Sequence, residues 1–218
     1  MLFRSASDMI LTDDEFSSIV LAVQQGRNIF ENIRKFVLYL ISCNIAEVLV
    51  VGLASMLNFP LPITPLQILY LNLITDVFPA LALGVGKGDE SVMEKPPRPP
   101  SEPIMTNYHW SETGIYGIII TMITLLSFGF CIEIMNFPLE ISISISFLTL
   151  AFAQLFHVFD MRSRRSGLVI NEITKNIWVW LAILLSGTLL IVPIYLPVIA
   201  ELLSLENPGG IGYLIIFI

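Results

Sequence analysis

The sequence predicts an all-α polytopic membrane protein. It reads as a bundle of five full transmembrane helices plus a truncated sixth, with a short remnant of a cytoplasmic α/β domain at the N-terminus. Three observations carry this. The chain is 55% hydrophobic and only 13% charged, with mean hydropathy +0.80, whereas a soluble domain is about 25% charged. Apolar runs of about 20 residues recur, the length that crosses a bilayer core; they fall at 36–57, 64–86, 113–135, 142–161 and 177–197, and another begins near Gly210. Finally, all 11 Lys and Arg lie in alternate connections, so that five spans put them on one side.

Those basic positions are Arg4, Arg27, Arg34 and Lys35 before the first span, Lys87, Lys95 and Arg98 between the second and third, and Arg162, Arg164, Arg165 and Lys175 between the fourth and fifth. The opposite connections, 58–63, 136–141 and 198–209, hold none. By the positive-inside rule the basic side, with the N-terminus, is cytoplasmic. The first 30 residues are polar and mixed, without the pattern of a cleavable signal peptide. The net charge of −7 comes mostly from loop acids, and no basic face indicates nucleic acid. The partner implied is the lipid bilayer. Cys43 and Cys131 lie in different spans without a CxxC neighbour, which reads as small apolar packing rather than a zinc site or disulfide.

Residues 1–35 differ from the rest. DMILT reads as a short strand. TDDEFSSIVLAVQQGRNIFENIRKF reads as a helix with Thr12 or Asp13 as cap, running into the first span with Gly26 as its weak point. One strand and one helix cannot bury a core of their own. The organisation expected is therefore 1–35, the end of a cytoplasmic domain and a stalk helix; 36–86, a helix pair; 87–112, a proline-rich cytoplasmic loop; and 113–218, the remaining spans.

Residues 71–84, LNLITDVFPALALG, place Asn72, Thr75, Asp76 and Pro79 inside an apolar span. Ionisable groups at membrane depth cost several kcal/mol if exposed to lipid, and mark function by default. Asn72, Thr75 and Asp76 share a helix face at i, i+3, i+4, as do Asn44 and Glu47 in the first span at i, i+3. The connection NFPLPIT is short, so the two spans are antiparallel neighbours and their oxygen-rich faces can meet. Two carboxylates, two amides and a hydroxyl form a hard-cation set, suited to calcium and unlike a soft-metal site of His and Cys. Pro79 removes a backbone donor one turn beyond Asp76 and is expected to break the helix, a device that frees carbonyls for cations. The competing reading is interhelical hydrogen bonding with a simple kink. Gln154 and His157, at i, i+3 in the fourth span, could face the same cavity. Glu133 and Asp160 read as snorkelling at span ends, and His109 reads as a loop residue with no role.

With these stretches in view, the chain resembles a known family. ASDMILTDDEFSSIVLAVQQGRNIFENIRKFVLYLISCNIAEVL resembles the end of the phosphorylation domain and the fifth transmembrane helix of P-type ATPases, closest to the calcium pumps of the sarco/endoplasmic reticulum and their bacterial relatives. PITPLQILYLNLITD resembles their sixth helix, and MEKPPRPPSEPIM the proline-rich loop that follows. The initial MLFRS does not fit the family, and the chain reads as a C-terminal fragment whose N-terminal portion is its missing partner.

The resemblance implies calcium ligands at Asn44 and Glu47 on the fifth helix and at Asn72, Thr75 and Asp76 on the sixth, Asp76 being shared by two sites. Gln154 falls where the reticulum pumps have a glutamate ligand, and Val77 where they usually have glycine. Asn72 is aspartate in sodium/potassium pumps. The motifs DKTGT, TGES, TGDGVND and PEGL of the family are not in this chain, so no catalytic residue is expected here. ATP and Mg2+ would act only in the full-length parent. What is implied for that parent is Ca2+ transport by phosphoenzyme-coupled alternating access, with H+ counter-transport through Glu47 and Asp76, in a bacterial plasma membrane. The alternatives are a non-catalytic cation-binding bundle, channel-like or an assembly partner, and a P-type pump for Na+ or Mn2+.

Overall fold

The computed structural model describes residues 15–86, 90–94, 96–99, 101–163, 166–167 and 169–217. The strand read over DMILT, the caps read at Thr12 and Asp13, and the basic residues Arg4, Lys87, Lys95, Arg164 and Arg165 lie outside them. The described residues are helical, without strands, and five helices are long and apolar enough to cross a membrane.

The first, α1, spans Phe16–Met56, with Glu15 at its N-cap. Its 41 residues are about 60 Å long, twice the thickness of a hydrocarbon core. The N-terminal half therefore stands out of the membrane as a stalk, and the helix passes Gly26 without interruption. It closes on Asn58, whose φ of 55° turns the chain, while the Phe59 N–H bonds the Ala54 carbonyl at 2.9 Å, a Schellman closure in which Asn tolerates the left-handed conformation.

The second span is α2 (Pro65–Leu71), a π-helical turn (Asn72–Asp76) and α3 (Val77–Gly84). Thr64 and Gln67 cap its start reciprocally, with Pro65 in the first turn. The third is α4 (Asn107–Gly129), extended by a second π turn at Phe130–Ile134. His109 is therefore not in a loop: it sits in the first turn of α4 and accepts from the Thr106 N–H at 3.2 Å. The fourth is α5 (Leu139–His157) with a 3-10 turn to Met161. The fifth is α6 (Ile177–Ile191), ending in a 3-10 turn at Val192–Tyr195 around Pro193. Two short helices follow, α7 (Pro197–Leu202) and α8 (Gly209–Ile216).

The centre is α5: 78% of its membrane window is buried, against 33–44% for the other four. Its burial follows from small side chains. Ser142, Ser144 and Thr149 turn their hydroxyls back onto carbonyls four residues earlier, at 2.8–3.1 Å, which satisfies them without water and lets neighbours close in. The outer faces are apolar, as at Ile115, Ile118, Ile119, Met122 and Ile123 on α4, all exposed. A continuous apolar surface of this kind needs lipid or a further apolar partner against it. Helix α4 lies close on α1: a Cβ at Gly117 would come within 2.6 Å of Ile45 Cγ2, and Thr121 next to it donates to the Ala46 carbonyl at 3.3 Å. Gly117→Val should force these helices apart and cost about 1–3 kcal/mol, read as a lower melting temperature of the protein in detergent.

The stalk half of α1 is tied to both basic connections. Asn32 Nδ2 donates to the Gly84 and Gly86 carbonyls at 3.3 and 2.7 Å. Arg34 donates to the Ile104 carbonyl and to Glu102, each at 2.9 Å. Arg98 lies over the Phe30 ring at 3.8 Å. Lys35 pairs with Glu172 at 2.8 Å, and the Ser163 N–H donates to the same carboxylate. Burial raises the Glu172 carboxyl, but the hydrogen bond and charge of Lys35 with the Ser163 N–H outweigh it and hold the group below its ordinary value. The tie therefore stabilises fully above the ordinary carboxylate range and is lost as pH falls through the lowered value. Protection of the 169–176 amides against hydrogen exchange should hold from neutral pH down to about pH 5 and fall only below the ordinary carboxylate value of about 4.3. Lys35→Met should lower it already at neutral pH and flatten the profile.

Candidate cation site

The π turn, Asn72–Asp76, is where the structure departs from a regular span. Pro79 was expected to break the helix. Instead it lies buried inside α3, and the helix continues through it. The reason is in the backbone. Pro79 has no N–H for the Thr75 carbonyl at α-helical spacing, nor for the Ile74 carbonyl at π-helical spacing. Two hydroxyls from other helices take those carbonyls: Tyr39 of α1 donates to Thr75 O at 2.7 Å, and Ser186 of α6 donates to Ile74 O at 3.0 Å. With both acceptors occupied, the irregularity is accommodated by a wide turn just before the proline.

That turn faces α1 and α5 with its polar side chains, and all six residues singled out as metal ligands come together. Gln154 Nε2 donates to Glu47 Oε1 at 3.0 Å, and Asn72 Nδ2 donates to Glu47 Oε2 at 3.2 Å. Thr75 Oγ1 is 3.0 Å from both Gln154 Oε1 and the Leu71 carbonyl. Asn44 Nδ2 donates to the Leu40 carbonyl at 2.8 Å and reaches Asp76 Oδ2 at 3.3 Å. Glu47, Thr75, Asp76 and Gln154 are buried, Asn72 is half-buried and Asn44 is exposed. Asp76 Oδ1 is buried and has no hydrogen-bond partner. Beside it a cleft of about 490 Å3 opens between α1 and α3, lined by Leu40, Asn44, Asp76, Val77 and Leu81 among others.

The electrostatics are those of an anionic site without its counter-charge. Among the described residues no basic side chain forms an ion pair with Glu47 or Asp76. The side-chain amides of Asn44, Asn72 and Gln154 donate to the carboxylate oxygens instead, and each of them also carries an oxygen a cation could use. No group of three or more His, Cys, Asp or Glu is gathered among the described residues, so the donors here are two carboxylates, three amides and a hydroxyl.

His157 does not join this network. Its Nδ1 lies 3.0 Å from Asp160 Oδ2, and its ring lies against Tyr39 and Tyr116, 5.9 and 4.4 Å between centroids. Glu133 and Asp160 are exposed near span ends, and both cysteines are free and buried. The sequence reading passed over Tyr39 and Ser186. Pro79 signals that the Thr75 carbonyl needs a partner, but no local pattern shows the π turn that adds the Ile74 carbonyl or names the hydroxyls that take the two.

A family model for the C-terminus of cation transporting ATPases matches residues 60–218. The chain belongs to that family. It is 40% identical over 194 residues to a calcium-transporting ATPase of Bacillus subtilis, covering 89% of this chain and 22% of that protein. It is 35% identical over 218 residues to calcium-transporting ATPase 1 of Bacillus cereus, covering 93% and 24%. An endoplasmic reticulum-type calcium-transporting ATPase 3 of Arabidopsis thaliana is 31% identical over 228 residues, covering 92% and 23%. The chain thus spans less than a quarter of the length of these curated relatives. It is a multi-pass membrane segment from the cation-transporting region of this family.

The network makes a direct demand on Gln154. Gln154→Glu replaces the donor to Glu47 by a second carboxylate at 3.0 Å. In chelator the variant should be about 1–3 kcal/mol less stable than the wild type, and the added rise in melting temperature on adding a divalent cation should exceed that of the wild type.

Proposed function

We propose that this chain is the cation-binding transmembrane part of an ATP-driven calcium pump, and that Asn44, Glu47, Asn72, Thr75, Asp76 and Gln154 bind the transported ion. The observation that carries the reading is Asp76 Oδ1: a buried, unpartnered carboxylate oxygen at the head of the α1–α3 cleft, within a network of side-chain oxygens. Calcium takes six to eight oxygen ligands in flexible geometry. The six side chains supply most of such a shell, and the cleft is open to further ligands from the rest of the pump. The names of the two Bacillus relatives and the Arabidopsis relative support calcium as the ion.

The transport cycle follows from this placement. When the ion is bound, its charge replaces the donated hydrogen bonds that hold Glu47 and Asp76. When it leaves, no basic side chain among the described residues balances the two carboxylates, so protons balance them and are carried back: H+ counter-transport. The ATP and Mg2+ chemistry belongs to the missing N-terminal portion, whose motifs are not among these residues. α1 carries the resulting motion, being continuous from the stalk to Asn44 and Glu47. The basic connections support a cytoplasmic stalk. All three tryptophans, Trp110, Trp178 and Trp180, begin spans on that same side, as an interfacial aromatic belt requires. The Bacillus relatives favour a bacterial plasma membrane.

The test is Asp76→Asn in the full-length pump, read as phosphoenzyme formation against free calcium. The calcium required should rise about a hundredfold or more, because one of two anionic ligands is gone. Wild-type sensitivity would remove Asp76 from the site. Phosphorylation driven by Na+ or Mn2+ but not by Ca2+ would transfer the reading to those ions.

A further inference from the structure

We propose that Ser186, on the fifth span and contributing no ligand, is a positioning residue for the cation site. The inference rests on the proposed cation-binding role of Thr75 and Asp76. Ser186 is fully buried, and its hydroxyl donates to the Ile74 carbonyl at 3.0 Å. Ile74 is the middle residue of the π turn and directly precedes Thr75 and Asp76. Among the described residues this is the hydroxyl's one hydrogen bond. Most buried serines and threonines here bond a carbonyl four residues back on their own helix, as Ser42, Thr124 and Thr149 do. Ser186 reaches across to another helix instead.

The need for it comes from Pro79. Without that N–H, the carbonyls at 74 and 75 lack a donor from residue 79 in a region with no water to substitute. The Thr75 carbonyl is taken by Tyr39 on α1, the helix that also carries Asn44 and Glu47. The Ile74 carbonyl is taken from the opposite side, by α6. The two hydroxyls fix the Ile74–Thr75 and Thr75–Asp76 peptide planes, one on either side of the Thr75 Cα, and so set the direction in which the Thr75 and Asp76 side chains leave the backbone. Releasing Ile74 O frees that turn to relax toward other hydrogen-bond patterns, with Asp76 turned away from its partners.

The experiment uses the full-length pump with Ser186→Ala, Pro79→Ala and the double variant. Each is titrated with calcium for phosphoenzyme formation, and its maximal phosphoenzyme level and melting temperature are measured. Ser186→Ala should raise the calcium needed for half-maximal phosphorylation about three- to tenfold, the scale of one lost hydrogen bond, with the maximal level unchanged. Pro79→Ala returns an N–H to the turn, so in that background Ser186→Ala should cost less than twofold. An unchanged calcium requirement in Ser186→Ala, or the same loss with and without Pro79, overturns the proposal. So does a fall in maximal phosphoenzyme and melting temperature alone, which marks Ser186 as packing. Asp76→Asn run in parallel separates the two levels of the argument: if it too leaves calcium sensitivity unchanged, the site reading itself has failed, and Ser186 falls with it.

Discussion

Two carboxylates, Glu47 and Asp76, lie buried in a lipid-facing bundle with no basic side chain of the described residues paired to them. That is the constraint around which the rest is arranged. A buried charge needs hydrogen bonds or a counter-ion, and an uncompensated one is strongly destabilising. The bundle meets Glu47 with two amide donors, from Gln154 and Asn72, and leaves one oxygen of Asp76 without a donor. The first arrangement keeps the site folded without an ion. The second leaves an unpartnered acceptor where the proposed cation would bind. A lysine or arginine in place of Gln154 would pair permanently with Glu47 and oppose a cation, so the proposed site requires a side chain without positive charge there.

The same need explains why three spans converge on the π turn. An α-helix satisfies its own backbone, so it has no reason to expose oxygen at membrane depth. Pro79 breaks that self-sufficiency, and the wide turn before it spreads Asn72, Thr75 and Asp76 toward α1 and α5. The displaced carbonyls then draw hydroxyls from Tyr39 and Ser186. Local irregularity and helix packing are thus one problem with one solution: the turn that builds the site is also the contact that holds α1 and α6 against the second span.

Much of this was legible in the sequence for a physical reason. Lipid permits few polar residues, so those inside a span stand out, and helical spacing then sorts them onto faces. Asn44 with Glu47, and Asn72 with Thr75 and Asp76, could be grouped from spacing, and Gln154 joined them through the family resemblance, since its spacing to His157 alone left its role open. What could not be read was the form of the irregularity. A proline at 79 is compatible with a break, a kink or a π turn, and the outcome depends on whether donors more than 30 residues away reach the freed carbonyls. Stalk contacts such as Lys35 with Glu172 were hidden likewise, because a charge in a loop carries no mark of its partner 137 residues distant.

Those stalk contacts bear on how a remote event could reach the site. A helix transmits displacement along its axis only if it is unbroken and its sides are not free to slip. α1 is continuous through Gly26, and in the membrane it lies closely against α4 at Gly117. In the stalk it is fastened to the connection after the second span through Asn32 and Arg34, and to the connection before the fifth through Lys35. Any tilt of the stalk therefore moves the loops that lead out of α3 and into α6. Tyr39 and Ser186 lie on α1 and α6, so in the proposed pump one rigid-body motion would act on the peptide planes on both sides of Thr75. In the proposed pump, the carbonyls that Pro79 leaves without its N–H are then the point where a movement begun outside the membrane would change the direction of Asp76.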